Sequence, residues 1–397
     1  MNIAYTVRRS FPGPGGIATA LRVTAAELAK HHRVRVWAAR IDDEPISRLN
    51  ATLQPQSFSP FWLDNVEVRP VPMDVLSRAA SSPMALLEVP GLRGFGYQPL
   101  RRLTSPAYVR TIAPRLSGEW GTPDVVHAWG GEHLNWAAGH AARAQQLPLV
   151  VTPFAHPKAW GDDDMNAAFY RSADRVLALL PTEGDFYGSL GVEEDRVRVV
   201  GVPVTPLPDD GPDVRAQHKI GEHLLVLYFG VKEPYKGYPI LLEAARHVWA
   251  EHPHARVAFV GPRTAASERD FAAIDDKRII EVGRVDDAEA RAWQRAANVL
   301  CLPSTSEIMP VTILECWSAG VPVVAAEWWC ARDLIDDGRD GIVTTAEPQP
   351  IARAIVSLLA DPAGAKTMGK SGYAKVVEKY SPQAVAARHE SAYREIT

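Results

Sequence analysis

Two carboxylates stand eight positions apart in the stretch Pro303-Ser304-Thr305-Ser306-Glu307-Ile308-Met309-Pro310-Val311-Thr312-Ile313-Leu314-Glu315. The first falls in a loop and the second just inside a predicted helix. Pro310 suits the first helical position, where its missing N–H is not needed. The amides of Val311, Thr312 and Ile313 then lack an intrahelical acceptor and can point at an anion. Glu315 lies among apolar neighbours, in Ile313-Leu314-Glu315-Cys316-Trp317. An unpaired carboxylate is costly there, so it needs a ligand or a structural ion pair. An anion cradle between two carboxylates that seek hydroxyls suits a nucleotide diphosphate sugar. One carboxylate holds ribose, the other holds the sugar, and the amides hold the diphosphate.

Lys236, in Pro234-Tyr235-Lys236-Gly237-Tyr238, follows a predicted strand and opens a helix. Its ammonium can neutralise the charge of a leaving diphosphate. A bound anion would also remove the conflict between a cation and the positive end of a helix. His156 lies just past a predicted strand end, where α/β sheets place ligands; a surface role stays open for it. The turn Gly13-Pro14-Gly15-Gly16 lacks the G-x-G-x-x-G spacing of dinucleotide binders, although such glycines let a backbone approach a ligand. His127 and His133 have no third ligand at useful spacing, so no metal is predicted. Asp162-Asp163-Asp164 has no strand leading into it and reads as a solvated acidic loop. Arg93, Arg101, Arg102, Arg110 and Arg115 form a loose basic region without a helix face, which does not predict membrane association.

The elements that must position these residues alternate. A short apolar run, a glycine turn, an amphipathic segment and a second run cover residues 2–7, 12–16, 17–31 and 34–39, which is a βαβ unit. Further strands are predicted at 125–128, 149–152, 176–180 and 197–200. A second series follows at 224–229, 256–260, 279–282, 299–302 and 321–325. Two such series make two doubly wound α/β domains, separated by the Pro- and Asp-rich stretch 201–214. Residues 41–120 carry many prolines and weak periodicity, and 381–397 is a helix candidate. The chain has 397 residues and a net charge of -4, with no dominant basic stripe, so nucleic acid is not an expected partner. Cys301, Cys316 and Cys330 read as buried thiols in a reducing compartment, and no apolar run of about 18 residues is present. Arg8-Arg9 mimics an export signal, but Pro12 and Pro14 replace its apolar region. The cytoplasm is the expected location.

The stretch from Pro303 to Val324 resembles the E-x7-E segment of family 4 retaining glycosyltransferases with the GT-B fold. Tyr228–Val248 resembles that family's phosphate-binding strand, loop and helix. The segments Thr122–Gly131, Val150–His156 and Ala173–Val204 fall where its first domain has its later strands. The resemblance implies two Rossmann-like domains facing a cleft: an acceptor domain at 1–205, a nucleotide-sugar domain at 206–378, and a helix at 379–397 crossing back. It implies a metal-independent transfer of a sugar, a UDP-sugar by expectation, to a hydroxyl of a small-molecule, natural-product or oligosaccharide acceptor. No cofactor is expected beyond the nucleotide-sugar cosubstrate. Lys236, Glu307 and His156 are the expected catalytic residues. Gly15, Gly16, Lys232, Arg284, Val285, Ile308, Met309, Pro310, Val311, Thr312 and Glu315 are the expected donor-binding ones. Glu315 would hold ribose, Glu307 and the Ile308–Met309 backbone the sugar, the Arg284–Val285 backbone the base, and His156 the sugar from the first domain. Val231 stands where the family carries a phosphate-binding Arg; Lys232, Arg263 or Arg284 could replace it. Two other readings share the fold, a sugar phosphorylase and a non-catalytic sugar-nucleotide binder.

Overall fold

A computed structural model describes residues 1–13, 16–41, 53–88, 97–205 and 211–397. The chain forms two compact units, Met1–Pro203 with Pro382–Thr397, and Val204–Ser381.

The sheet of the first unit runs β3-β4-β2-β1-β5-β6-β7-β8. Its strands are β1 (Asn2–Ser10), β2 (Arg33–Arg40), β3 (Phe61–Leu63), β4 (Val66–Pro70), β5 (Val125–Trp129), β6 (Leu149–Thr152), β7 (Arg175–Ala178) and β8 (Val197–Val199). All neighbours are parallel except the edge pair β3 and β4. Strands covered by helices on both faces read as continuous apolar runs rather than alternating ones; β5 and β6 are buried at every position. The order reverses between β1 and β5. Their carboxyl ends therefore diverge into loops with a crevice between them, the usual ligand position in such sheets.

The second sheet runs β11-β10-β9-β12-β13-β14, entirely parallel. Its strands are β9 (Leu225–Phe229), β10 (Arg256–Val260), β11 (Ile279–Val282), β12 (Val299–Leu302), β13 (Val323–Ala326) and β14 (Gly341–Thr344). Here the reversal lies between β9 and β12.

The final helix, Pro382–Arg394, belongs to the first unit and is tied into its core. Tyr393 Oη lies 2.9 Å from Tyr5 Oη and 2.7 Å from His127 Nδ1. Arg388 Nε donates to the Val200 carbonyl at 2.8 Å, and Glu395 pairs with Arg175 and Arg198.

Residues 97–120, which resisted a periodic reading, form one long helix, Tyr97–Trp120, with Pro106 and Pro114 inside it. Tyr108, Ile112, Leu116 and Trp120, each four apart, are all buried and make its core stripe. Packing on the next helix, His133–Ala144, outweighs two interior prolines, each of which removes one backbone hydrogen bond.

Candidate active site

The richest concentration of polar chemistry sits at the reversal point of the second sheet. Glu307 lies on the loop after β12. The Pro234–Lys236 turn after β9 meets that loop, because the Tyr235 carbonyl accepts from Thr305 N at 2.9 Å and from Ser304 Oγ at 3.1 Å. Gly237 follows with φ 81°, and a Cβ there would come within 2.0 Å of the Pro303 carbonyl oxygen; only glycine permits so close an approach. The contact brings Lys236 Nζ to 2.6 Å from Glu307 Oε1, with side chains 23% and 8% exposed.

Behind Glu307 the chain is oriented by residues that the sequence reading passed over. Trp329 Nε1 donates to the Glu307 carbonyl at 2.7 Å. Trp328 Nε1 and Cys330 Sγ donate to the Ile308 carbonyl at 3.3 and 3.2 Å. In a trans peptide C=O and N–H point in opposite directions. With both carbonyls held by the Trp-Trp-Cys segment, the N–H groups of Ile308 and Met309 face away from it. Neither has a protein acceptor among the described residues, although both residues are buried. The helix Val311–Ser318 begins just beyond. Pro310 was expected at its first helical position. It instead sits one residue earlier, at ψ 114°, as the cap, and its carbonyl accepts the Ile313 N–H at 3.1 Å. Ile313 is thereby removed from the expected amide set, while Val311 and Thr312 keep N–H groups without a protein acceptor among the described residues. Ile308, Met309, Val311 and Thr312 thus offer four donors in one short stretch. Buried amides are nearly always paired, so such a run marks a ligand or water site.

Glu315 sits one turn into the same helix, half-buried. Its partner is neutral: Gln294 Nε2 donates to Oε2 at 2.6 Å. Among the described residues Glu315 forms no ion pair, so the structural-partner alternative is not what the chain uses. Burial raises its pKa to about 7, against the lowering effect of the Gln294 bond. The far end of the helix is anchored by Trp317 Nε1, which donates to the Asp340 carbonyl at 2.8 Å.

Lys232 is placed differently from the expectation. It is completely buried, and its ammonium donates to the Gly261 carbonyl, to the Val282 carbonyl at 2.8 Å and to Glu281 Oε1 at 2.7 Å. Three acceptors use all three protons, so Lys232 ties together the loops after β9 and β10 and the end of β11, and has none left for a phosphate. Arg263 is paired with Glu281 and Glu268. Arg284 is exposed and Val285 half-buried on the loop after β11.

The first unit has its own crevice at the ends of β1, β5 and β6, open to solvent. Arg8 and Glu132 meet there, Nε to Oε2 2.8 Å, with side chains 14% and 26% exposed. Glu132 has φ 76° and ψ -175°, a region that costs a non-glycine residue about 1–3 kcal/mol and clusters at functional sites. Its N–H donates to Asn166 Oδ1 at 3.0 Å. Asn166 in turn takes Trp136 Nε1 at 3.1 Å and donates to Asp163 Oδ2 at 2.7 Å. His156 packs its ring 3.8 Å from that of Trp160, which lines the crevice. Gly16 opens the helix Gly16–Leu28, whose Ile17 also lines it. Gly15 and Arg93 lie outside the described residues.

One secondary expectation is corrected. Asp162-Asp163-Asp164 is not simply a solvated loop: Asp162 accepts from Lys158 N, Asp163 caps the helix Asp164–Arg171 and pairs with buried Arg101 at 2.8 Å, and Asp164 pairs with Arg102. The basic region is correspondingly neutralised there, and Arg115 pairs with Asp74. His127 and His133 are buried in hydrogen bonds to Tyr393, Thr152 and Ser105; no group of three potential metal ligands occurs among the described residues. No described helix is long and apolar enough to cross a membrane.

The sequence matches two family descriptions, Glycosyl transferase 4-like domain over residues 15–203 and Glycosyl transferases group 1 over residues 223–361. A D-inositol 3-phosphate glycosyltransferase of Streptomyces bingchenggensis (strain BCW-1) is 29% identical over 339 residues, 75% of this chain and 73% of the relative. A phosphatidyl-myo-inositol mannosyltransferase of Mycobacterium leprae (strain TN) is 30% identical over 191 residues, 47% of this chain and 50% of the relative. The crystal structure of Anabaena Alr3699/HepE in complex with UDP and glucose superposes with a TM-score of 0.72 at 17% identity, over 100% of both chains. With both halves matched to glycosyltransferase families and the whole fold to a solved neighbour, the chain is a glycosyltransferase of the GT-B fold, with domains like those of family 4.

Proposed function

We propose that the chain transfers a sugar from a nucleotide diphosphate sugar, a UDP-sugar, to a hydroxyl of a small polyhydroxylated acceptor, with retention and without a metal. The observation that carries this reading is the run of unpaired amides at Ile308, Met309, Val311 and Thr312, flanked by the Lys236–Glu307 pair and by Glu315. Amides and ammonium suit the diphosphate. A carboxylate held only by a neutral amide suits the two donors of a ribose diol. Glu307, fixed at its backbone and side chain, suits the hydroxyls of the sugar. The UDP and glucose in the Anabaena neighbour, and the inositol phosphate named for the Streptomyces relative, support the donor and acceptor classes.

In this reading Lys236 and the amides stabilise charge that develops on the departing diphosphate. The leaving phosphate takes the acceptor proton on the face it vacates, so the new bond forms on the side of the old one. Metal-free transfer is tested by activity in excess chelator. The donor class is tested by melting the protein with UDP, GDP, ADP and dTDP in millimolar excess, as wild type and as Glu315→Ala. One nucleotide at about 100 times its Kd should stabilise the wild type by about 2.7 kcal/mol and leave the variant unmoved. No shift with any of the four would remove the nucleotide-sugar reading.

A further inference from the structure

The crevice of the first unit has a chemistry that narrows the acceptor. It lies at the reversal point of its sheet. Arg8 comes from the end of β1, the Gly130-Gly131-Glu132 turn follows β5, and Phe154 and Trp160 follow β6. Its aromatic surface is built from Trp129, Phe154 and Trp160, whose Nε1 donates to the Phe154 carbonyl at 3.2 Å. The Trp129 ring stacks on His389 at an interplanar angle of 1° and meets Phe154, while its buried indole N–H has no acceptor among the described residues. A residue that forgoes a hydrogen bond to keep its ring orientation is placed for its apolar face.

The polar side is equally specific. Arg8 and Glu132 are the charged groups among the described lining residues, and they are bonded to each other. Such a pair offers guanidinium donors beside a carboxylate acceptor, which matches vicinal hydroxyls that donate to one and accept from the other. It is a poor host for a phosphate. The cation is already committed to a carboxylate, and a dianion would have to lie beside the Glu132 charge at a partly buried position where screening is weak.

We infer that this crevice is the binding site for a neutral polyhydroxylated ring, an unphosphorylated cyclitol or monosaccharide unit, and that the Arg8–Glu132 pair discriminates against the phosphate ester of the same ring. The inference rests on the acceptor half of the proposed function, but it is tested by binding and not by turnover.

The experiment titrates full-length protein, saturated with UDP, with myo-inositol, glucose and the monophosphate of each, followed by ligand-observed NMR. The wild type should bind a neutral ring at least tenfold more tightly than its ester. Glu132→Gln frees the guanidinium and removes the repulsion, and should move that ratio at least tenfold towards the ester. Arg8→Gln should weaken the neutral ring. Three results would overturn the inference: a wild type that prefers the ester, a ratio unmoved by Glu132→Gln, or no binding of any of the four up to tens of millimolar. UDP stabilisation of each variant, which depends on the other unit, shows that the variant is folded. Its presence alongside a failed acceptor titration rejects this inference alone, whereas its absence from the wild type rejects the glycosyltransferase reading of the donor site.

Discussion

Glu315→Gln tests the donor site through the protonation of one side chain. Burial moves this carboxyl from its ordinary 4.5 to about 7, with Gln294 as its hydrogen-bond partner. At about 1.4 kcal/mol per pH unit, the neutral form is favoured in the folded protein by about 3 kcal/mol. Below pH 4.5 the group is protonated whether the chain is folded or not, and it costs nothing. Between 4.5 and 7 the folded protein keeps a proton that the unfolded chain has released, so stability falls as pH rises. Above 7 the full penalty applies. Glutamine cannot ionise and keeps an oxygen for Gln294, so the variant lacks this slope. Its melting temperature should draw ahead of the wild type between pH 5 and 8 by roughly 6–12 °C, at about 2–4 °C per kcal/mol for a unit of this size.

The same geometry ties the ligand to pH. Ribose hydroxyls donate to an ionised carboxylate, so a bound nucleoside diphosphate favours the charged form and expels the proton. Wild-type affinity for UDP should rise with pH up to about 7, and the affinity of Glu315→Gln should be lower and flat. Melting curves at half-unit pH steps, with and without UDP, measure both. Parallel stability profiles for the two proteins would refute the burial argument. A variant stabilised by UDP as well as the wild type would refute the ribose role.

Three other substitutions separate the remaining residues. Lys236→Ala leaves the Glu307 carboxylate without its cation and should lower kcat about 10²–10³-fold; Lys236→Arg should recover stability better than rate, and an unchanged kcat would remove Lys236 from the chemistry. Trp329→Phe keeps the ring but loses the bond to the Glu307 carbonyl, worth about 1–3 kcal/mol if left unmade. KM for the nucleotide sugar should rise about tenfold while Kd for UDP stays within twofold, and equal weakening of both would show general disruption instead. Lys232→Met strips two carbonyls and Glu281 of their donor and should cost about 3–5 kcal/mol of stability with UDP affinity of the folded protein unchanged; a stable variant with tenfold weaker UDP binding would restore Lys232 to the phosphate site.

What could be read from the chain was set by distance along it. Glu307 and Glu315 belong to one strand-loop-helix segment, and Lys236 to another, so their placement follows from local rules. The burial of Lys232 depends on carbonyls 29 and 50 residues away, and a lysine next to a strand end looks the same whether it faces a ligand or three backbone loops. Arg8 appeared only as half of a false export signal, because its partner Glu132 is more than a hundred residues further on. The carbonyl clamp of Trp328, Trp329 and Cys330 was hidden for the same reason. One signal was present and missed: Tyr108, Ile112, Leu116 and Trp120 recur every fourth residue, and Pro106 and Pro114 masked a helix whose packing overrides them.

The two reversal points share a plan. In each sheet the cation comes from the end of, or just beyond, the first strand, as Arg8 at β1 and Lys236 after β9. The carboxylate follows the strand across the reversal, as Glu132 after β5 and Glu307 after β12. An ion pair spanning such a crevice largely cancels its own charge while keeping donors and lone pairs for hydroxyls, so it recognises sugars and polyols without attracting ions. Anion binding needs something more, and the second unit offers it in the amides of Ile308, Met309, Val311 and Thr312, which have no protein acceptor among the described residues. In the first unit the Glu132 N–H is given to Asn166, and the rings of Trp129, Phe154 and Trp160 line the crevice. On the two proposals above, the same topology would serve a diphosphate sugar in one unit and neutral hydroxyls in the other. What the second unit adds to the shared plan is the run of unpaired amides after β12, which strand order alone does not provide.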